Sequence, residues 1–232
     1  TWFSVRAYPS ETGLSVYFRD VTERKEREQA LERQRDELEG LAQLNRVLQR
    51  VNETLVTATN RTMVERTVCE ELVDSSLFAA AWLGRVDSRR DTVELATSAG
   101  HDGFEPEATV PVSEAVTHPA GRAVASQSVE RLDDLSSLDS GDPWVEAARE
   151  HGFRSVAAVP VSYKGSQYGV VTVFATKPGV FTEGVVEALS QLRSVVGLAI
   201  NATERRAALI ADGTIQLELT LRDDTNQLFR AV

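Results

Sequence analysis

The chain has 232 residues, a formal net charge of -10, 42% hydrophobic and 6% aromatic residues, and a single cysteine, Cys69. That length and apolar content bury a real core, and no apolar run approaches the roughly 18 residues of a membrane span. The N-terminal residues do not read as a signal peptide, and the chain opens on Thr1 rather than Met, as a segment of a longer protein would. One cysteine excludes an internal disulfide or a multi-cysteine metal site and fits a reducing, cytoplasmic setting. The negative charge opposes attraction to phosphate backbones, so no nucleic-acid contact is expected from this segment. Among the 25 basic residues only Lys25, Lys164 and Lys177 are lysine. An acid-rich, Lys-poor surface fits a protein of concentrated salt, and a high-GC genome would leave the same bias toward Arg.

Residues 2–8 and 14–19 alternate in type around Pro9–Gly13, which predicts a β-hairpin with a long loop. Two strands alone are marginal in water, so this hairpin needs a partner. Asp20 and Glu23 are spaced as a capping box, and a charged helix is expected over Val21–Thr57. In its second half Leu41, Leu44, Leu48, Val51 and Leu55 follow steps of 3, 4, 3 and 4, the a/d seam of a two-stranded coil. Leu31 and Leu38 lie on another phase and leave Gln34 and Glu37 at the seam positions, a locally loosened coil. The same stripe could lie on its own domain; the expectation taken here is a parallel homodimer.

From Asn60 the chain changes character. A helix is predicted over residues 62–76, then strands Ala79–Val86 and Thr92–Ser98. A loop-rich stretch carries a short helix near Pro119–Ser126 and a short strand near Ser128–Leu132. The helix over residues 143–151 is marked by Asp142 as cap, Pro143 at its first position and Gly152 at its end. Strands Ser155–Ser162 and Tyr168–Ala175 flank a turn at Tyr163–Gln167. A long helix capped by Thr182, with Phe181 and Val186 as a staple, closes the unit. This is an α+β plan whose AAAWL and VAAV runs predict central strands covered on both faces. Thr214–Leu221 alternates strictly and reads as a strand that begins something new.

The runs Gly152–Val161, Gly169–Ala175 and Phe181-Thr182, with Ala81–Val86, Ala99-Gly100 and Pro143-Trp144 upstream, resemble a GAF domain. The resemblance covers roughly residues 58–203 and implies a central antiparallel sheet with helices on both faces. Phe18–Arg24 is similar to the last strand and exit motif of a PAS domain, where an Asp-x-Thr turn passes into a signalling helix. The implied organisation is a PAS C-terminal hairpin at 1–20, a linker helix at 21–57, a GAF domain at 58–211 and the start of a further domain at 212–232. That order is similar to the bacterio-opsin activator family of haloarchaeal transcription regulators, which end in a helix-turn-helix domain. DNA binding is then implied only for a domain that this chain does not contain. Sensor histidine kinases share the front half, but a kinase would continue as a dimerisation helix with a phosphoacceptor histidine. No histidine lies beyond His151.

Catalysis needs a nucleophile beside a base, and His101, His118 and His151 are scattered, with no nucleophile elbow. The expectation is a non-enzyme; the alternative is a redox enzyme of the GAF reductase type acting through Cys69, which reads more simply as a buried small hydrophobe. Phosphate-binding glycine loops are absent, and so is the Asn-Lys-x-Asp motif of GAF domains that bind cyclic nucleotides. No motif names a cofactor. The resemblance implies a small-molecule pocket between the sheet and the insertion at 101–150. Its candidate lining is Trp82, Phe104, His118, Trp144, Phe153, Thr172 and Phe174. His118 could ligate haem, but Pro119 starts a helix directly after it, which makes it a polar cap.

Overall fold

The computed structural model describes residues 1–10, 13–100, 103–138 and 141–212. The expected strand at Thr214–Leu221 lies outside the described residues. Strands β1 (Phe3–Ser10) and β2 (Gly13–Asp20) pair antiparallel from Phe3↔Asp20 to Ser10↔Gly13. Helix α1 (Thr22–Thr57) follows at once. Its start is fixed by the hairpin: Val21 N donates to Trp2 O at 2.9 Å, and Trp2 N donates to Thr22 Oγ1 at 2.7 Å. The expected capping box does not form. Asp20 Oδ1 accepts from Thr22 N at 2.8 Å, one residue ahead of the helix boundary, while Glu23 pairs with Arg27 instead. Both faces of the hairpin expose apolar side chains, including Trp2, Phe3, Tyr17 and Phe18.

Helix α2 (Arg61–Asp74) is capped by Asn60, whose Oδ1 accepts from Met63 N at 2.9 Å. The remaining elements are β3 (Ala80–Asp87), β4 (Thr92–Gly100), β5 (Thr109–Pro111), α3 (Pro119–Ser126), β6 (Glu130–Leu132), a single 3-10 turn (Leu135–Ser137), α4 (Pro143–Glu150), β7 (Ser155–Tyr163), β8 (Ser166–Ala175) and α5 (Glu183–Asp212). Strands β3 to β8 form one antiparallel sheet in the order β5-β4-β3-β8-β7-β6. The turn between β7 and β8 is tighter than the five residues expected. Tyr163 pairs with Ser166, and Lys164 (φ 49°) and Gly165 (φ 82°) make a two-residue turn with both central φ angles positive, the type that matches strand twist. Asp142 precedes α4 as expected, but its carboxylate makes no capping bond; its carbonyl accepts from Val145 N and Glu146 N instead.

The central strands are covered on both faces, as their unbroken apolar runs predict. Ala81, Leu83, Ala157, Val159, Val171 and Val173 point into one layer with α2, α5 and the second half of α1. Ala80, Trp82, Val156, Ala158, Val170 and Phe174 point to the other layer, with α3 and α4. Helix α5 crosses β7 so closely that a Cβ on Gly197 would lie 2.6 Å from Ser162 O. No helix among the described residues is long and apolar enough to cross a membrane.

The stripe read as a coiled-coil seam is corrected here. Leu44, Leu48 and Val51 are buried in the chain's own core, and Leu41 and Leu55 pack partly against it. A Cβ on Gly184 would lie 3.1 Å from Leu41, so the start of α5 makes room for this side chain. An a/d spacing serves equally for a partner helix and for a helix that lies on its own domain, and here α1 packs on α2 and α5. The side chains of the other phase, Leu31 and Leu38, are exposed.

Candidate functional site

A cavity of about 170 Å³ opens on the α3/α4 side of the sheet. Its floor is Trp82 on β3 and Phe174 on β8, which the pairings Trp82↔Thr172 and Ala80↔Phe174 set on one face. Gly84 is what seats the indole: a Cβ there would lie 2.7 Å from the Trp82 ring. One wall is Pro143, Trp144 and Ala147 of α4; another is Phe104 to Glu107, from the segment between β4 and β5. His118 completes the lining at the head of α3.

The ring contacts fall into two groups, Phe104–Phe153–Phe174 with His151 and Trp82–His118–Trp144. Phe104 lies edge-on to Phe174 at 5.2 Å and to Phe153 at 4.9 Å between ring centroids. His118 stands 5.9 Å from Trp82 and 4.7 Å from Trp144. Trp144 Nε1 donates to Thr117 Oγ1 at 3.3 Å. Five of the seven residues read from the sequence line the cavity: Trp82, Phe104, His118, Trp144 and Phe174. Phe153 is fully buried behind Phe104 and Phe174, and Thr172 is fully buried beside Trp82 in the sheet. Trp82 Nε1 and Thr172 Oγ1 are buried without hydrogen-bond partners among the described residues, an uncommon state for interior polar atoms.

The electrostatics of the lining are one-sided. His118 Nδ1 accepts from Ala120 N at 3.1 Å, the capping role expected of it, so any neutral-state proton sits on Nε2. Burial pushes its imidazole down to about 4, which leaves it uncharged near neutrality. Glu105 and Glu107 bring two carboxyl groups to the rim, and among the described residues no lysine or arginine lines the cavity. Burial, with the nearby charge of Asp142, holds the Glu107 carboxyl above its ordinary range. These two acids were missed at the level of sequence. They sit in a loop with no periodicity, and only the fold brings Glu105 and Glu107 to the aromatic floor.

The other reactive candidates lie elsewhere. Cys69 is fully buried in α2, and burial beside Glu65 and Glu70 pushes its thiol up to about 12. Its fellow core residue Glu65 is buried too, bound by Arg85 through both carboxylate oxygens at 2.8 and 2.6 Å and by Arg61 at 2.7 Å. Arg61 also pairs with Glu204, so the network ties α2 and β3 to α5. His151 ends α4, with Nδ1 2.8 Å from Ala147 O and Nε2 3.0 Å from Gly103 O. No cluster of three metal-binding side chains occurs among the described residues.

Comparison with known proteins agrees with this geometry. The profile of the GAF domain matches residues 58–201. The chain is 28% identical over 208 residues to the bacterioopsin transcriptional activator of Halobacterium salinarum, covering 88% of this chain and 29% of that protein. A Haloferax volcanii relative is also 28% identical, over 89% of this chain and 34% of its own length. The chain thus spans about a third or less of these curated relatives. Among solved structures, the free methionine-R-sulfoxide reductase of Neisseria meningitidis, in complex with its substrate, superposes with a TM-score of 0.62 at 18% identity, covering 72% of this chain and 93% of that one. The GAF domain of an Acinetobacter phosphoenolpyruvate-protein phosphotransferase gives 0.54 at 18% identity, covering 73% and 97%. Those likenesses concern the fold alone. Matched profile, sheet order and two-layered core together place this chain in the GAF domain family.

Proposed function

We propose that this chain is a non-catalytic sensory and relay segment of a cytoplasmic transcription regulator, with the cavity over Trp82 and Phe174 as its small-molecule site. The observation that carries the reading is the position of the cavity. It lies on one face of β3 and β8, while on the opposite face of the sheet α2 packs on β3 and β4, α5 packs on β7 and β8, and α1 lies over α2 and α5. A ligand that shifts Trp82 or Phe174 therefore acts on strands whose alternate residues meet α2 and α5, and α1 lies on those two helices. The relatives' description as regulators supports the regulatory role, and the buried, protonated Cys69 argues against reductase chemistry. A macrocycle such as haem fits poorly, because the cavity of about 170 Å³ falls below the ~300–1,000 Å³ of drug-sized pockets.

In this reading β1 and β2 are the tail of a PAS domain, and their exposed apolar faces are covered by strands of the parent protein. The chain pairs with a second copy, not through Leu44 to Val51 but through apolar side chains that the fold leaves exposed, such as Leu31, Leu38 and Leu209. The acidic segment itself makes no contact with DNA or membrane; DNA is contacted by another part of the parent.

Native mass spectrometry of the purified chain, beside light scattering in concentrated salt, tests both halves of the proposal. A dimer with a retained small-molecule mass is expected. A monomer at all micromolar concentrations would remove the pairing, and a bare chain after gentle purification would remove the resident ligand. Replacing Cys69 by serine should leave any measured activity unchanged.

A further inference from the structure

The chemistry of the cavity points to a ligand class. Aromatic side chains face it from three directions: Trp82 and Phe174 from the sheet, Trp144 from α4, and Phe104 from the loop. The charged groups of the lining are the carboxyl groups of Glu105 and Glu107, and the imidazole of His118 is spent as a helix cap. Aromatic faces attract a cation within about 6 Å of the ring through their quadrupole, and do so best when the cation is weakly hydrated. Carboxylates at the rim add attraction and reject anions, since no lysine or arginine among the described lining residues meets a phosphate or carboxylate. A bare inorganic cation is held too strongly by water to exchange it for indole and phenyl faces.

We infer that this pocket takes a small organic cation, an ammonium group carrying alkyl substituents, with the rings of Trp82, Trp144, Phe104 and Phe174 around the alkyl groups and Glu105 and Glu107 at the mouth. The inference rests on the reading of the cavity as a ligand pocket and adds its selectivity. The raised proton affinity of Glu107 agrees, because its charge lies part-buried beside Asp142 with no cation near it among the lining residues.

The test compares choline with 3,3-dimethyl-1-butanol, which replaces the quaternary nitrogen by carbon and so removes the charge at constant shape. Both are titrated into the purified chain at fixed KCl, with calorimetry and tryptophan fluorescence as readouts. Choline should saturate, and the neutral isostere should bind at least about tenfold more weakly. Glu107→Gln should weaken choline about three- to tenfold and leave the isostere unchanged, with the melting temperature as the check on folding. Glu105→Gln offers a second rim variant at an exposed position. If the isostere binds as tightly as choline, the cation assignment falls while the ligand pocket stands. If neither probe binds, the assignment falls as well, and the native mass spectrum decides separately whether the pocket holds any ligand.

Discussion

On one face of the six-stranded sheet, short aliphatic side chains such as Ala81, Leu83, Val159 and Val171 share one core with side chains of α1, α2 and α5. On the other, Trp82, Phe153 and Phe174 meet two short helices and a loop, and the large flat rings leave room for a guest. Protein interiors pack to crystal-like density, and the cavity is a local departure from it beside the Phe104, Phe174 and Trp82 rings. The same strands therefore support one face whose buried strand residues, among those described, are all aliphatic and one face with a ring-lined cavity. In the proposed reading, the side that takes the ligand is opposite the side on which α2 and α5 pack.

Substitutions should separate the two faces, beginning with the largest effects. Leu44→Ala, in the fully buried helical layer, should cost about 3 kcal/mol in chemical denaturation while choline affinity stays the same. Acid should act on the aromatic face through His118. Its folded-state pKa of about 4 lies below the 6.5 of the free side chain, so the unfolded chain takes up the proton first. Stability should then fall as pH drops from 6.5 toward about 4, by about 2–3 kcal/mol from this residue, and His118→Asn should flatten that part of the profile. Glu65→Ala leaves Arg85 and Arg61 without their shared carboxylate and should cost about 2 kcal/mol, below the loss for a fully enclosed pair because both arginines reach solvent. Its signature is earlier exchange in α5, which Glu204 joins to the network. Replacing Leu31 and Leu38 by Gln should change the stability of the domain by less than about 0.5 kcal/mol each, and light scattering of this variant tests the pairing proposed above.

The sequence carried the elements of this fold more clearly than their use. Pro119, Pro143 and Gly152 punctuate helices by local chemistry, and the helices over 119–126 and 143–150 fall within a residue of where those signals put them, while the apolar face of 62–76 found the helix over 61–74 to within two residues. The unbroken apolar runs in β3 and β7 correctly marked strands buried on both sides. The stripe from Leu41 to Leu55 was ambiguous because 3-4 spacing fits any helix with one apolar face, and the choice between a second chain and α5 is a tertiary one. Five aromatic and histidine positions of the cavity were legible through the family resemblance. Glu105 and Glu107 were not, since a loop carries no period and its placement over Trp82 follows from the path between β4 and β5.

The central claim is that a change on the aromatic face is felt by the helices on the opposite face. Ala147 lines the cavity from α4, so Ala147→Phe fills it without any added ligand. Amide hydrogen exchange of this variant against the parent chain is the most direct test. The account predicts altered exchange along α1 and α5, across the sheet from the substitution. Changes confined to α4 and to residues 103–107, with α1 and α5 unmoved, would contradict it.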